Sequence, residues 1–486
     1  MENRYNPPGK LYILSAFTAL GWVTLGYNYS VYNPTINYIS RSMGWPKDEI
    51  PLREALGFAM IPIGALISLA IALWRFSETK RRVMLIFADI FTIIGSILVI
   101  FDIYTIFLIG RLFLGLGAGI NALIAPIYLR ELSPKEISGK MGSSCGIGAS
   151  TGKFLGFLLA FGLPIPPDEK NLYCKFMYLF PILLSVLRIL YLTFVFRYET
   201  PKYYLLNRMP EEANKIASVI FNDNYKDEAI RGVTEEAIHQ KKLTVEVLAI
   251  KYPTQMIICM MLAALMQLTG LHTLTAYSTA ILTGSLVNEE LNKEQMHFVN
   301  VINFWMGILR ILSASLSGAF LDILGRKGLL IIATAIQGVS LIILAISTHI
   351  HLTRLAGAMI LLYSFGAALG LGTVNPIYFS ELLPVKGCSL TLLVDNLMNL
   401  LLNSTFPLLV NIKGFGFSGA LYLMSSFNLV GIFLVGKMVV ETKGLSLRQI
   451  YNKFKELNEG YKPIPKSPEE KQRLLQLYED TSPRHF

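Results

Sequence analysis

Four ionisable side chains, Asp89, Lys153, Arg188 and Arg310, lie inside long hydrophobic runs. A guanidinium at mid-membrane depth costs at least ~2.5–3.5 kcal/mol, so it must face a wet cavity or a paired acid. Arg310 therefore admits two chemistries. Its planar fork can grip a carboxylate or phosphate bidentately, which would suit an organic anion or a phosphorylated solute. Alternatively it can pair with Asp395 inside a locked bundle. Lys153, Arg188 and Asp89 pose the same question, and no partner for them is legible in the sequence. His272 could titrate near neutral pH, although a lone histidine in an apolar run is more often a hydrogen-bonding packer. The chain has no Walker loop, no metal-spaced His/Cys set and no recognisable pairing of nucleophile and base, so no enzyme activity, cofactor or metal is expected.

The elements that must position these groups are membrane spans. Of 486 residues, 53% are hydrophobic and 16% charged, against roughly a quarter charged in a soluble domain. The apolar residues come in runs of about twenty or more, each long enough to cross ~30 Å of hydrocarbon. Hydropathy places spans 1 to 6 near 11–33, 55–74, 83–102, 105–128, 142–163 and 176–196, and spans 7 to 12 near 254–283, 298–321, 328–348, 355–379, 391–412 and 418–440. The expected fold is an all-α integral membrane protein with two six-helix bundles, 1–196 and 254–440, joined by a cytosolic helical linker at 197–253 and followed by a cytosolic tail at 441–486. Within the linker, Glu211-Glu212-Ala213-Asn214-Lys215 and the stretch beside Lys241 and Lys242 suit amphipathic helices.

The net charge of +10 would suggest nucleic acid in a soluble chain, but here it marks cytosolic flanks, and no nucleic-acid partner is expected. The short loops favour neither side strongly. The nine Lys and Arg of the linker, with Lys443, Arg448, Lys453 and Lys455 of the tail, place both termini on the cytosolic side or its organellar equivalent. The first apolar run begins near Leu11 without a small-residue cleavage site and is read as a retained span. Cys145 and Cys259 fall in spans, while Cys174 and Cys388 fall on opposite sides, so no disulfide is expected.

An internal repeat organises the halves. Pro126-Ile127-Tyr128-Leu129-Arg130-Glu131-Leu132-Ser133-Pro134 recurs as Pro376-Ile377-Tyr378-Phe379-Ser380-Glu381-Leu382-Leu383-Pro384, 250 residues later. Lys80-Arg81-Arg82 after span 2 is echoed by Gly325-Arg326-Lys327 after span 8. Matching echoes in two six-span halves imply two bundles related by an axis along the membrane normal, with a site between them at mid-depth. Bundles that rock about such a site need breakable latches, and exposed ion pairs of ~0–1 kcal/mol each suit that role. The candidate cytosolic latch comprises Arg81, Arg82, Arg111, Glu131, Glu199, Asp322, Arg326, Lys327, Glu381 and Glu441. Gly110, Gly115, Gly117 and Gly119 in span 4, with Gly142, Gly146, Gly148 and Gly152 in span 5, predict close helix approach.

Further motifs carry a family likeness. Gly26-Tyr27-Asn28 with Asn33-Pro34, Gly110-Arg111, Glu131…Pro134…Gly139, Glu199-Thr200-Pro201-Lys202, Gln267-Leu268-Thr269-Gly270 with Tyr277-Ser278-Thr279, Gly325-Arg326-Lys327 and Glu441-Thr442-Lys443-Gly444 occur in order. Together they resemble the sugar porter branch of the major facilitator superfamily, the facilitative glucose transporters included. The resemblance implies a hexose site weighted toward the second half, with Gln267, Asn399 and Asn403 as amides that both donate to and accept from hydroxyls, and Tyr277 as a gate or apolar wall. The other role open to the asparagines is interhelical hydrogen bonding.

Departures from the family pattern are numerous. Met266 and Gly146 stand where the family has glutamines, and His272 and Arg310 where it has asparagines. Ala368 replaces an acidic residue and Pro376 a tryptophan, while Ser138 stands for a latch arginine whose second-half counterpart is only approximated at Lys386-Gly387. Asn28 stands where proton-linked relatives place an aspartate, which favours passive uniport. Two functions follow: facilitated diffusion of a hexose or related sugar or polyol by alternating access, or a fold that has lost transport and serves as a structural or sensor subunit. The first needs only a small-molecule solute and the lipid bilayer; the second adds membrane-protein partners.

Overall fold

The computed structural model describes residues 9–46, 48–75, 79–163, 172–222, 253–284 and 293–443, together with isolated positions within 226–233 and 450–454. Lys241, Lys242 and nearly all of the 441–486 tail lie outside the described residues, as do the side chains of Asp322 and Ser138.

Each predicted span is realised as helix. Span 1 is Gly9–Ser30 continued by Tyr32–Ser42, span 2 Ile50–Arg75, span 3 Arg81–Leu98, span 4 Tyr104–Leu132, span 5 Lys135–Ala160, and span 6 Leu172–Leu190 with a wider turn at Tyr191–Val195. Span 7 is broken into Pro253–Leu268, Thr273–Ala276 and Ser278–Thr283. Spans 8 and 9 are two helices within Lys293–His349, separated by a kink where Gly325 adopts the non-helical φ 74°, and span 10 breaks at Gly370 into Thr353–Leu369 and Leu371–Leu382. Span 11 is Val385–Val410 and span 12 Gly416–Met438.

Among the described residues, nine of these helices are long and apolar enough to cross a membrane by length and composition. Spans 1, 3 and 5 are the more polar ones: span 3 carries Arg81, Arg82 and Asp89, and span 5 carries Lys140 and Lys153 with several serines. Helices overrun the predicted apolar windows at their ends, where charged caps such as Arg130 and Glu131 extend span 4 beyond the hydrocarbon. In the linker, Glu211 to Lys215 fall in helix Pro210–Ile220, which follows a short helix, Pro201–Leu206. Pro210 sits in the first turn, where its missing N–H costs nothing, and the helix buries Ala213, Ile216, Ala217 and Ile220 on one face.

Packing follows the repeat. Span 1 lies on span 5 and span 4 on spans 2 and 3, while the two halves meet where span 2 packs on span 11 and span 5 on span 8. Shifting by six spans exchanges those last two interfaces, as a pseudo-two-fold axis requires. Small residues set the spacing inside the first half: a Cβ at Gly152 would stand 2.0 Å from the Val23 carbonyl oxygen, and one at Gly115 would stand 2.3 Å from that of Ile61. All four cysteines are free and buried.

Candidate functional site: a central cavity between two halves

A cavity of about 90 Å³ lies between the halves, room for several water molecules. The first half lines it from spans 1, 2, 4 and 5, with Trp22, Tyr29 and Lys153 prominent; the second lines it from spans 7, 8, 10 and 11, with His272, Arg310, Thr373 and Asp395. The departures from the family pattern have not filled it, since Met266, Gly146, Arg310, Ala368 and Pro376 are all lining residues. At Gly146 the space of a side chain is taken from across the interface: a Cβ there would stand 2.8 Å from Thr373.

The breaks in spans 7 and 10 bring backbone to this cavity. Gly270 takes φ 89° after the Gln267-Leu268-Thr269 turn, where its N–H bonds the Gln267 carbonyl at 2.7 Å. The residues that follow, Leu271 and His272, are lining residues, as are Gly372 and Thr373 beyond the span 10 break. Non-helical backbone at membrane depth is tolerated where it borders a wet cavity.

The polar groups form two clusters. In the first, Gln267 Nε2 donates to Asp395 Oδ1 at 2.6 Å, and Asn399 Nδ2 donates to the Tyr29 hydroxyl at 3.2 Å. Asn403 donates in turn to Asn399. In the second, Arg310 Nη2 donates to Thr275 Oγ1 at 3.1 Å while its Nε has no protein partner. Lys153 is close enough for its charge to act on both Arg310 and His272. His272 stacks on Tyr29 at 4.5 Å, between the clusters, with Nδ1 unpartnered.

These contacts correct the pairing of Arg310 with Asp395. No ion pair joins them; the aspartate is held by Gln267, and Arg310 meets a threonine and the field of a second cation. Arg188 and Asp89, by contrast, are each other's partners. Arg188 Nε and Nη2 grip the two Asp89 oxygens at 2.7 Å each, Nη1 adds the Asn121 amide oxygen at 2.7 Å, and the Thr18 and Leu85 carbonyls complete the shell.

Of the expected sugar contacts, His272 and Arg310 line the cavity, while Gln267 and Asn399 act one step behind it through Asp395 and Tyr29. Tyr277 and Asn403 do not line it. The Tyr277 ring is clasped between Phe406 at 4.9 Å and Phe58 at 5.2 Å, and its hydroxyl donates to the Asn403 carbonyl. That aromatic plug spans both halves at one end of the cavity, where Asn33 Nδ2 also donates to Ser278 Oγ at 2.9 Å and to the Thr275 carbonyl at 3.3 Å. Sequence reasoning passed over Lys153 as a neighbour of Arg310, and did not single out Tyr29, Asn396 and Thr373 as lining residues.

At the face that carries the linker, the latch residues form two matching networks. Arg81 pairs with Glu131 at 3.4 Å, and the Arg82 N–H donates to both Glu199 oxygens at 3.0 and 3.2 Å. Arg326 pairs with Glu381 at 2.6 Å, and the Arg326 and Lys327 N–H groups donate to Glu441 at 3.0 and 2.9 Å. Even the repeated tyrosines correspond: Tyr128 donates to the Tyr198 carbonyl and Tyr378 to that of Val440, each at 2.9 Å. Only glycine permits the second network, because a Cβ at Gly325 would meet the Glu441 carboxylate at 2.4 Å.

Two expectations about the latch are overturned. Each network ties helix ends within one half instead of bridging the halves. Arg111 does not belong to either, since twenty residues of helix separate it from Glu131, about 30 Å at 1.5 Å per residue. It lies over the Tyr32 ring at 4.0 Å, with Nε on the Gly57 carbonyl at 2.6 Å. Burial raises the Glu199 carboxyl above its ordinary value despite the N–H donors of Arg82 and Val83. Burial acts the same way on Glu441, but the donors at Arg326, Lys443 and Lys327 outweigh it and hold that carboxyl low.

Two pseudo-symmetric helical bundles around one mid-depth cavity, with broken helices beside it, define a solute transporter of the major facilitator fold and a multi-pass membrane protein. Comparison with known proteins agrees. The family model for sugar (and other) transporters matches residues 14–454, and the chain belongs to that family. Hexose transporter 1 of Plasmodium knowlesi is 26% identical over 467 residues, covering 89% of this chain and 90% of that one. Sugar transporter ERD6-like 6 of Arabidopsis thaliana is 26% identical over 461 residues, covering 90% and 89%. The proton:xylose symporter XylE bound to 6-bromo-6-deoxy-D-glucose superposes with a TM-score of 0.80 at 18% identity, covering 92% of this chain and all of that one. The protein is accordingly a transmembrane transporter of the sugar (and other) transporter family. Among the described residues no group of His, Cys, Asp and Glu could hold a metal.

Proposed function

We propose that this transporter is a facilitator for a hexose or closely related hydroxylated solute, working by alternating access between bundles 1–196 and 254–440. The observation that carries the reading is the cavity lined by both halves and bordered by the breaks of spans 7 and 10. Solute held there by hydroxyl contacts to Asp395 and Asn396 of span 11 and Tyr29 of span 1 bridges the two halves, and rocking of the bundles exchanges the open side. Asn28, in place of a titratable group, supports passive uniport. The basic linker supports a cytosolic position for the latch face and both termini. The relatives named as hexose and sugar transporters supply the substrate class.

Purified protein in liposomes should equilibrate labelled glucose saturably, with trans-acceleration and with no response to an imposed pH gradient. Glucose flux at the rate of empty vesicles would reject hexose as the solute. Flux that follows the pH gradient would reject uniport.

A further inference from the structure

Two cations from opposite halves face one small cavity with no acid paired to either among the described residues. Lys153 of span 5 and Arg310 of span 8 are 4% and 3% exposed, and both are lining residues of the cavity that joins the halves. The Arg310 Nε is buried without a partner, and so is Nδ1 of His272 beside them. The one acid in the lining, Asp395, is engaged by Gln267 in the other polar cluster, with Asn396 adjacent in the lining. Like charges brought together in a low-dielectric site cost free energy unless an anion joins them. The first half shows the alternative solution, since its buried Arg188 has a full shell of five hydrogen bonds that includes Asp89.

We infer that the transported solute carries an anionic group that seats between Lys153 and Arg310, on a hydroxylated body that reaches the Asp395 end. This rests on the transport reading and narrows its substrate class to a sugar acid or a phosphorylated sugar. The guanidinium supplies a planar two-point contact and the ammonium a point charge, one from each half. The anion therefore binds strongly only when the halves approach, and it favours the occluded arrangement over either open one. Neutral hexose would gain the hydroxyl contacts alone.

The test is uptake of labelled gluconate, glucose 6-phosphate and glucose by liposomes holding the full chain, with current recorded on a supported membrane. The expected result is saturable uptake of at least one anion, at lower KM than glucose and accompanied by a current of the sign of anion entry. Gluconate and glucose 6-phosphate distinguish a carboxylate from a phosphate as the seated group. Arg310→Gln and Lys153→Gln should each raise the KM for that anion roughly tenfold or more and shift the anion-to-glucose preference toward glucose. Arg310→Lys and Lys153→Arg, which keep the charge, should retain the preference and show that the folded cavity survives substitution. Carriage of glucose with both anions at empty-vesicle rates would overturn the inference and leave the transport reading standing. No flux of any of the three would defeat both.

Discussion

The two halves share a scaffold and differ in how each treats a buried arginine. In the first, Arg188 is 0% exposed and fully bonded to Asp89, Asn121 and two carbonyls. In the second, Arg310 has one side-chain hydrogen bond, an orphaned Nε and a neighbouring lysine. The first arrangement fixes spans 3, 4 and 6 against span 1; the second leaves charge for something else to satisfy. The backbone tells the same story. Span 4 runs unbroken through Pro126, whereas its counterpart span 10 breaks at Gly370, and the span 7 breaks are wider than the single interruption in span 1. One half is the frame and the other carries the adjustable parts.

The largest test of that contrast replaces each arginine by leucine and measures thermal stability in detergent without added solute. Arg188→Leu leaves Asp89 buried and unpaired and should cost about 3–5 kcal/mol, with partial recovery in the Asp89→Leu/Arg188→Leu double variant. Arg310→Leu removes an unpaired charge and should be neutral or stabilising. Equal losses at both positions would erase the distinction between frame and moving half.

A smaller effect is expected at the repeated tyrosines. Tyr128→Phe deletes one hydrogen bond to the chain after the last span of its half, whereas Tyr378→Phe deletes two, because the Val440 N–H also donates to the Tyr378 hydroxyl at 3.2 Å; each bond is worth about 1 kcal/mol. A drop in melting temperature at both positions, larger at Tyr378, would fit this geometry, and a shift at one position only would break it.

The smallest effect is in pH dependence, where the matched latches should diverge. Glu441, whose folded pKa is depressed, contributes stability above its unfolded value that is lost as pH falls through the folded one. Glu199, whose folded pKa is raised, carries a cost above its unfolded value that is relieved as pH falls through its folded value. Mild acidification should therefore raise the melting temperature relative to a Glu199→Gln variant before it lowers the exchange protection of the Arg326 and Lys327 N–H groups. The reverse order would contradict the assigned carboxyl environments.

The latch networks were legible in the sequence because they are repeated: the paired motifs at Pro126 and Pro376, and at Arg81 and Arg326, specify the same helix-end contacts twice. The spans were legible because each needs about twenty apolar residues. The error at Arg111 was avoidable by counting the rise from Glu131. Site geometry was harder to read because its contacts join residues far apart in the chain. Asp89 and Arg188 are 99 positions apart and Gln267 and Asp395 are 128 apart, and nothing local marks Asp395 as the mate of Gln267 in preference to Arg310. Lys153 poses a partner question in the sequence, and only the facing halves bring it to the same cavity as Arg310. The shared motifs suggested Tyr277 as a gate or wall; that it is a buried plug beyond the cavity depended on the rings of Phe58 and Phe406.

The contact of Asn33 with Ser278, continued from Ser278 to Asn303 at 2.8 Å, sews span 1 to spans 7 and 8 with neutral hydrogen bonds alone. Water can replace each strand of that seam for about 1 kcal/mol, and ionic strength has little hold on it. The empty carrier's resting ratio of shut to ajar at this seam should therefore be set by thermal agitation and hardly at all by salt.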